Sequence, residues 1–103
     1  MEIIAKDGRS LCQYTMTYGR LNLSGALTAF PLECEYVRFK SSSDNGAVLI
    51  YVGGPEVTVA DNGYELAAGE NVTIGFGLGD YHAADTIYFR ATGDAVLFYI
   101  AYN

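Results

Sequence analysis

Glu35-Tyr36-Val37-Arg38-Phe39-Lys40, then Ser41-Ser42-Ser43-Asp44-Asn45-Gly46, then Ala47-Val48-Leu49-Ile50-Tyr51-Val52 is the stretch whose reading decides the fold. In its first run Val37 and Phe39 fall on one side and Tyr36, Arg38 and Lys40 on the other, because successive strand side chains point to opposite faces. This predicts a half-buried strand. The polar cluster that follows bonds its own backbone through short side chains, and Gly46 accepts positive φ, so the chain reverses and the next strand returns antiparallel. Residues 47–52 are apolar on both faces, which predicts a strand in the middle of the domain with a second layer over it.

Working outward, residues 70–76 alternate again, with Val72, Ile74 and Phe76 on one side. Residues 11–18 alternate with Cys12, Tyr14, Met16 and Tyr18 facing one way, until Gly19-Arg20 breaks the run. Pro31 lacks a donor and biases Phe30 to an extended shape, so residues 26–31 fit an edge or a connector. Gly53-Gly54-Pro55 is a break, with Val57-Thr58-Val59 a short strand or extended bridge beyond it. Residues 86–91 and 95–102 read as a hairpin about Thr92-Gly93-Asp94. The second arm leaves no face for water, so it must be central or covered. Strands at this spacing, with no 3.6-residue period, predict an all-β sandwich of about eight antiparallel strands, with the jelly roll its preferred form.

The chain has 103 residues, which predicts a single domain, residues 1–103, with residues 1–10 an N-terminal arm or first edge strand. Half of the residues are hydrophobic and only 17% are charged, below the roughly one quarter typical of soluble domains, so disorder is excluded. Part of that apolar surface is expected to meet other subunits. A net charge of −6 opposes binding to a phosphate backbone, so nucleic acid is not an expected partner. No apolar run reaches the roughly 18 residues of a membrane helix, and Met1-Glu2-Ile3-Ile4 does not open a signal peptide, so synthesis in the cytoplasm without membrane contact is expected. Cys12 and Cys34 could pair if their strands are adjacent; reduced, buried thiols are the preferred reading.

Cys34-Glu35-Tyr36-Val37-Arg38-Phe39-Lys40, Ile50-Tyr51-Val52-Gly53-Gly54, Asn62-Gly63-Tyr64-Glu65-Leu66-Ala67-Ala68-Gly69-Glu70 and Thr86-Ile87-Tyr88-Phe89-Arg90-Ala91 together form a pattern that resembles small bacteriophage virion proteins. The resemblance covers about two thirds of the chain and departs from the pattern in the Tyr-rich N-terminal third and in residues 77–85. It implies a compact β-sandwich and a structural role as a decoration, fibre-base or other minor virion subunit.

The sequence carries little that points to catalysis. The only histidine, His82, has no nucleophile and third group arranged around it, and a cupin-type metal site needs several histidines. No cofactor and no metal are expected: Asp44-Asn45-Gly46, Asp61-Asn62-Gly63 and Asp80 with Asp85 could offer calcium oxygens, but Asp and Asn before Gly are standard turn residues. Nine tyrosines and five phenylalanines could supply a sugar-stacking platform, but Tyr14, Tyr18, Tyr51, Tyr81, Tyr88, Tyr99 and Tyr102 are too spread along the chain to name one site.

The expected function is therefore that of a non-enzymatic virion structural protein, a capsid decoration or minor head subunit. It would form a homo-oligomer, a trimer by analogy with local threefold lattice sites, and bind the major capsid or tail protein. Phe30, Leu97, Tyr99 and Tyr102 are the candidate subunit or capsid contacts. The alternative is a carbohydrate- or receptor-binding module on a tail or fibre, with Asp80, Tyr81 and His82 as its ligand loop.

Overall fold

The computed structural model describes residues 2–4, 10–13, 16–59, 61–75 and 87–102, with side chains described from residue 16 onward. The strands are β1 (Glu2–Ile4), β2 (Ser10–Gln13), β3 (Met16–Leu23), β4 (Thr28–Ala29), β5 (Tyr36–Ser41), β6 (Ile50–Gly53), β7 (Tyr64–Leu66), β8 (Asn71–Gly75), β9 (Tyr88–Ala91) and β10 (Ala95–Tyr102). A 3-10 turn over Ser43–Asn45 is the only helical element among the described residues. β1 and β2 pair with each other alone. The remaining eight strands form two antiparallel four-stranded sheets, ordered β3-β10-β5-β8 and β4-β9-β6-β7.

The alternation expected of the deciding stretch is present residue by residue. Val37, Phe39 and Ser41 are buried, while Tyr36, Arg38 and Lys40 are exposed. Between the sheets Phe39 of β5 meets Phe89 of β9 and Phe30, with ring centroids 5.0 Å apart in both pairs. Tyr99 of β10 closes on Phe30 at 5.3 Å. All of these contacts are edge-to-face, the arrangement in which a positive ring edge meets a negative ring face. Ile50, Val52, Leu66, Leu97 and Val37 complete the core around them.

Both expected reversals land in the opposite sheet. β5 has its two edges occupied by β10 and β8, so the chain after Ser41 crosses over and enters the other sheet as β6. Likewise β9 and β10 are not a hairpin: β9 pairs with β4 and β6, and β10 with β3 and β5. Polar turn residues specify that the chain reverses; they do not specify whether the returning strand lies beside the first or roughly 10 Å across the core. β10 is nonetheless an interior strand, as its apolar faces require.

Two local expectations also change. Gly19 does not end its strand, because β3 runs through it to Leu23. A Cβ at Gly19 would sit 2.9 Å from Tyr99 Oη, so the glycine makes room for an aromatic side chain from the paired position of β10. Val57-Thr58-Val59 joins no ladder and belongs to a loop folded over the outside of the β4-β9-β6-β7 sheet. Val57 is buried there, and Arg90 pins the loop by donating from Nε to the Val57 carbonyl at 3.0 Å and from Nη1 to the Gly25 carbonyl at 3.0 Å. This cover buries Tyr51, whose neighbours Ile50 and Val52 face the core.

Gly63 in that loop has φ +99°, and a Cβ there would lie 2.6 Å from Val57 Cγ2. Gly63→Ala therefore forces a left-handed backbone and a clash together. The expected loss is about 1–3 kcal/mol in urea unfolding, with Tyr51 becoming more accessible to solvent quenchers. A variant as stable as the wild type would show that the loop is not held against the sheet.

Candidate binding face

The two sheets differ in what covers their outer faces. The loop just described lies over one of them, while the strands of β3-β10-β5-β8 turn their alternate residues outward. Antiparallel pairing arranges those residues in rows. Met16, Tyr102, Tyr36 and Gly75 make the first row; Tyr18, Ile100, Arg38 and Thr73 the second; Arg20, Phe98, Lys40 and Asn71 the third. Tyr18 is 75% exposed, Met16 48%, Tyr36 44% and Phe98 42%. Large apolar side chains so far out of the core, gathered on one face, mark a contact surface.

Local sequence explains how the rings are held. A Cβ at Gly75 would come 2.6 Å from Tyr36 Cε1, so the glycine lets the Tyr36 ring lie across edge strand β8. An aromatic ring laid over a cross-strand glycine restores the packing that the glycine lacks. Arg38 donates from Nη2 to Asn71 Oδ1 at 3.0 Å, which fixes the guanidinium without neutralising it. None of the four strands contains Asp or Glu, although the chain has twelve acidic residues, and Arg20, Arg38 and Lys40 are half of its six basic ones. The face is therefore aromatic and cationic on an acidic protein.

The proposed contact residues separate. Phe30 and Leu97 have no exposed surface. They point between the sheets, so in this fold they are core residues and offer nothing to a partner. Tyr99 is half buried and packs edge-on against Phe30. Tyr102 alone of the four stands on the outer face, in the row of Tyr36. Asp80, Tyr81 and His82 lie outside the described residues. The tyrosines too scattered to name as one site are partly assembled by strand pairing: Tyr18 and Tyr102 share this face with Tyr36 and Phe98, whereas Tyr51 is buried in the other sheet. Alternation within each strand already assigns Tyr36 and Arg38 to the same side of β5. The register that sets Phe98 beside Arg20 and Lys40 depends on strands far apart in sequence, and no local signal carries it.

The Asn-Gly turns direct their amide oxygens at the backbone. Asn45 Oδ1 accepts from Val96 N at 2.9 Å, and Asn62 Oδ1 accepts from Thr58 N at 2.7 Å. Among the described residues no cluster of three or more His, Cys, Asp or Glu could hold a metal ion. Tyr51 Oη donates to Glu65 Oε2 at 2.7 Å, and this bond raises the phenol pKa, with burial and the carboxylate charge acting in the same direction.

Cys34 is a free thiol enclosed in the core, and burial pushes its pKa up. The thiolate is the nucleophile, so a neutral, enclosed thiol reacts slowly. Under native conditions at pH 8, Cys34 is expected to resist iodoacetamide and to alkylate fully in denaturant, as read by peptide mass mapping. Rapid native labelling would mean that this side chain is not enclosed.

No protein-family model matches the chain, and comparison with curated proteins and with solved structures finds no match, so its function has to be argued from the face itself.

Proposed function

We propose that this protein is a non-enzymatic virion protein of a bacteriophage, a jelly-roll subunit that decorates the particle and presents the β3-β10-β5-β8 face outward to bind carbohydrate on a host surface. Strand pairing supports the jelly roll. β3 pairs with β10, β4 with β9, β5 with β8 and β6 with β7, so the eight strands pair first with last and inward from there, alternating between sheets. Such nested pairing is what the two Greek keys of a jelly roll require, and it supports that reading. The phage assignment rests on the sequence resemblance alone, because a fold hosts many functions.

One observation carries the binding role: one sheet's outer face is covered by the chain's own loop, while the other exposes Tyr18, Tyr36 and Phe98 beside three cations. Aromatic faces bury the apolar surface of sugar rings, and polar groups at the rim fix their hydroxyls. Attachment to the major capsid or tail protein and closure of a homo-oligomer, a trimer in this reading, fall to the sheet edges at β3, β8, β4 and β7, where strands have a neighbour on one side only among the described residues.

Particles lacking the protein are expected to adsorb poorly to host cells and to regain adsorption when wild-type protein is added back. The Tyr36→Ala/Phe98→Ala variant is expected to bind particles as well as wild type without restoring adsorption. Failure of the wild type to co-sediment with particles removes the virion role, and full rescue by the variant removes the binding role of the face.

A further inference from the structure

We infer that the ligand of this face is an acidic oligosaccharide with sparse charge, two or three rings long and bearing one carboxylate on a ring, of the uronic or sialic acid type. The inference rests on the carbohydrate-binding role proposed above and adds the charge class and size of the sugar.

The cations are interleaved with the rings. A depression of about 500 Å³ is lined by Tyr36, Arg38, Thr73, Ile100 and Tyr102. A second, of about 340 Å³, combines Phe98 with Arg38, Lys40 and Asn71. A third, of about 370 Å³, sets Tyr18 and Phe98 against Arg20. Each of these three depressions joins an aromatic side chain to at least one positive group, whereas the one of about 560 Å³ at the Asn22–Val96 end of the sheet is bordered by Asp44 and Asp94 and marks where the cationic surface stops. A neutral sugar uses only the aromatic side chains; a carboxylated one uses the positive groups as well, since an Arg fork matches a carboxylate with two charge-assisted bonds. Arg38 is the central group, shared by two depressions and oriented by the neutral Asn71 amide, which leaves its positive charge for a ligand.

Size and charge separate this ligand from the other candidates. Four strands span roughly 14 Å, and three alternate residues along a strand span roughly the same distance, the footprint of two or three sugar rings. The three rows across four strands cover roughly 14 by 14 Å, a smaller patch than the about 800 Å² per partner of a stable protein interface. Stacking of two copies face to face would set Arg20, Arg38 and Lys40 against the same cations, which repel. Single-stranded nucleic acid would find rings and cations here too, but a phosphate at every unit meets the field of a chain with net charge −6. A ligand with one or two carboxylates gains the local attraction and suffers least from the distant repulsion.

The test is calorimetric titration of the full chain at low and at physiological salt with four probes: an aldotriouronic acid (one glucuronate on xylobiose), 3′-sialyllactose, lactose and an oligothymidylate trimer. At least one acidic sugar is expected to bind about tenfold or more tightly than lactose, and to weaken as salt is raised. Arg38→Gln is expected to remove the preference for the acid, bringing its affinity down to that of lactose for the same variant. Phe98→Ala is expected to weaken both sugars, and its circular dichroism and melting temperature are to match wild type. Equal affinity for acidic and neutral sugars would overturn the acidic class while leaving the carbohydrate role in place. Preference for oligothymidylate, or silence toward all four probes, would overturn the inference outright. Silence joined to normal adsorption by the face variant removes the underlying role as well.

Discussion

Phe39→Ala is expected to cost about 3–5 kcal/mol of stability, the range for truncating a fully buried aromatic side chain. Phe39 has no exposed surface, and its ring lies 5.0 Å from both Phe30 and Phe89, so it bridges the two sheets at the centre of the core. Truncation removes the buried ring area and two edge-to-face contacts, and it leaves a cavity that strands locked in ladders on both sides cannot collapse to fill. A domain of this size has about 5–15 kcal/mol in total, so the variant is marginal at best. Urea unfolding followed by circular dichroism provides the measurement, with Phe98→Ala on the outer face as the comparison. Phe98 is 42% exposed, and its truncation is expected to cost about 1 kcal/mol or less. Equal losses at the two positions would mean that the core is not centred on Phe39.

Asn45→Ala is expected to cost about 2–4 kcal/mol, a large effect for a turn residue. The side chain of Asn45 completes a β-ladder. The pairing of β5 with β10 ends at Ser41 and Leu97, and beyond that pair the Asn45 amide substitutes for the missing peptide group. Its Oδ1 accepts from Val96 N at 2.9 Å, and its Nδ2 donates to the Val96 carbonyl at 3.0 Å and to Ser41 Oγ at 2.8 Å. Ser41 is completely buried, so its hydroxyl depends on this bond. Removing the amide orphans groups on both β5 and β10 at the point where the chain leaves one sheet for the other. Asn45→Asp separates the contributions. At low pH the neutral acid can still accept from Val96 N and donate one of the two bonds to the Val96 carbonyl or Ser41 Oγ, so the loss is expected to be intermediate; the carboxylate donates neither and faces that carbonyl, so the loss grows once the acid ionises. An Asn45→Ala variant with wild-type stability would refute the role of the amide in the ladder.

The same residue shows how far the sequence could be read. Asp44-Asn45-Gly46 announces a reversal, and the structure has one, with Gly46 at φ +62° and Ser42 Oγ accepting from Asp44 N. That Asn45 also joins a strand fifty positions later was not legible, because Val96 becomes its neighbour only when β10 enters the sheet. The binding face divides in the same way. Alternation in β5 separates Tyr36, Arg38 and Lys40 from Val37 and Phe39 without any knowledge of the fold. In the sequence Phe30 and Leu97 read as partner contacts because apolar residues without a visible covering layer look alike whether that layer is the same chain or another. The opposite sheet supplies their cover.

What the sequence determined by itself is the class and much of the local geometry: all-β strands with their inward and outward sets, the turn at Asp44-Asn45-Gly46 though not the continuous run of β3 through Gly19, and an interior position for the doubly apolar β10. These follow from side-chain alternation and turn chemistry, which act over a few residues. Only the tertiary structure decided the rest. It placed β6 across the core from β5 and β10 across from β9, laid one loop over one sheet, and set the rings and cations of the other sheet's outer face in register with no cover from the described residues. The physical reason is that strand partnership is selected by burying the inward faces of all eight sandwich strands at once. That long-range free energy is shared by residues no local window contains together.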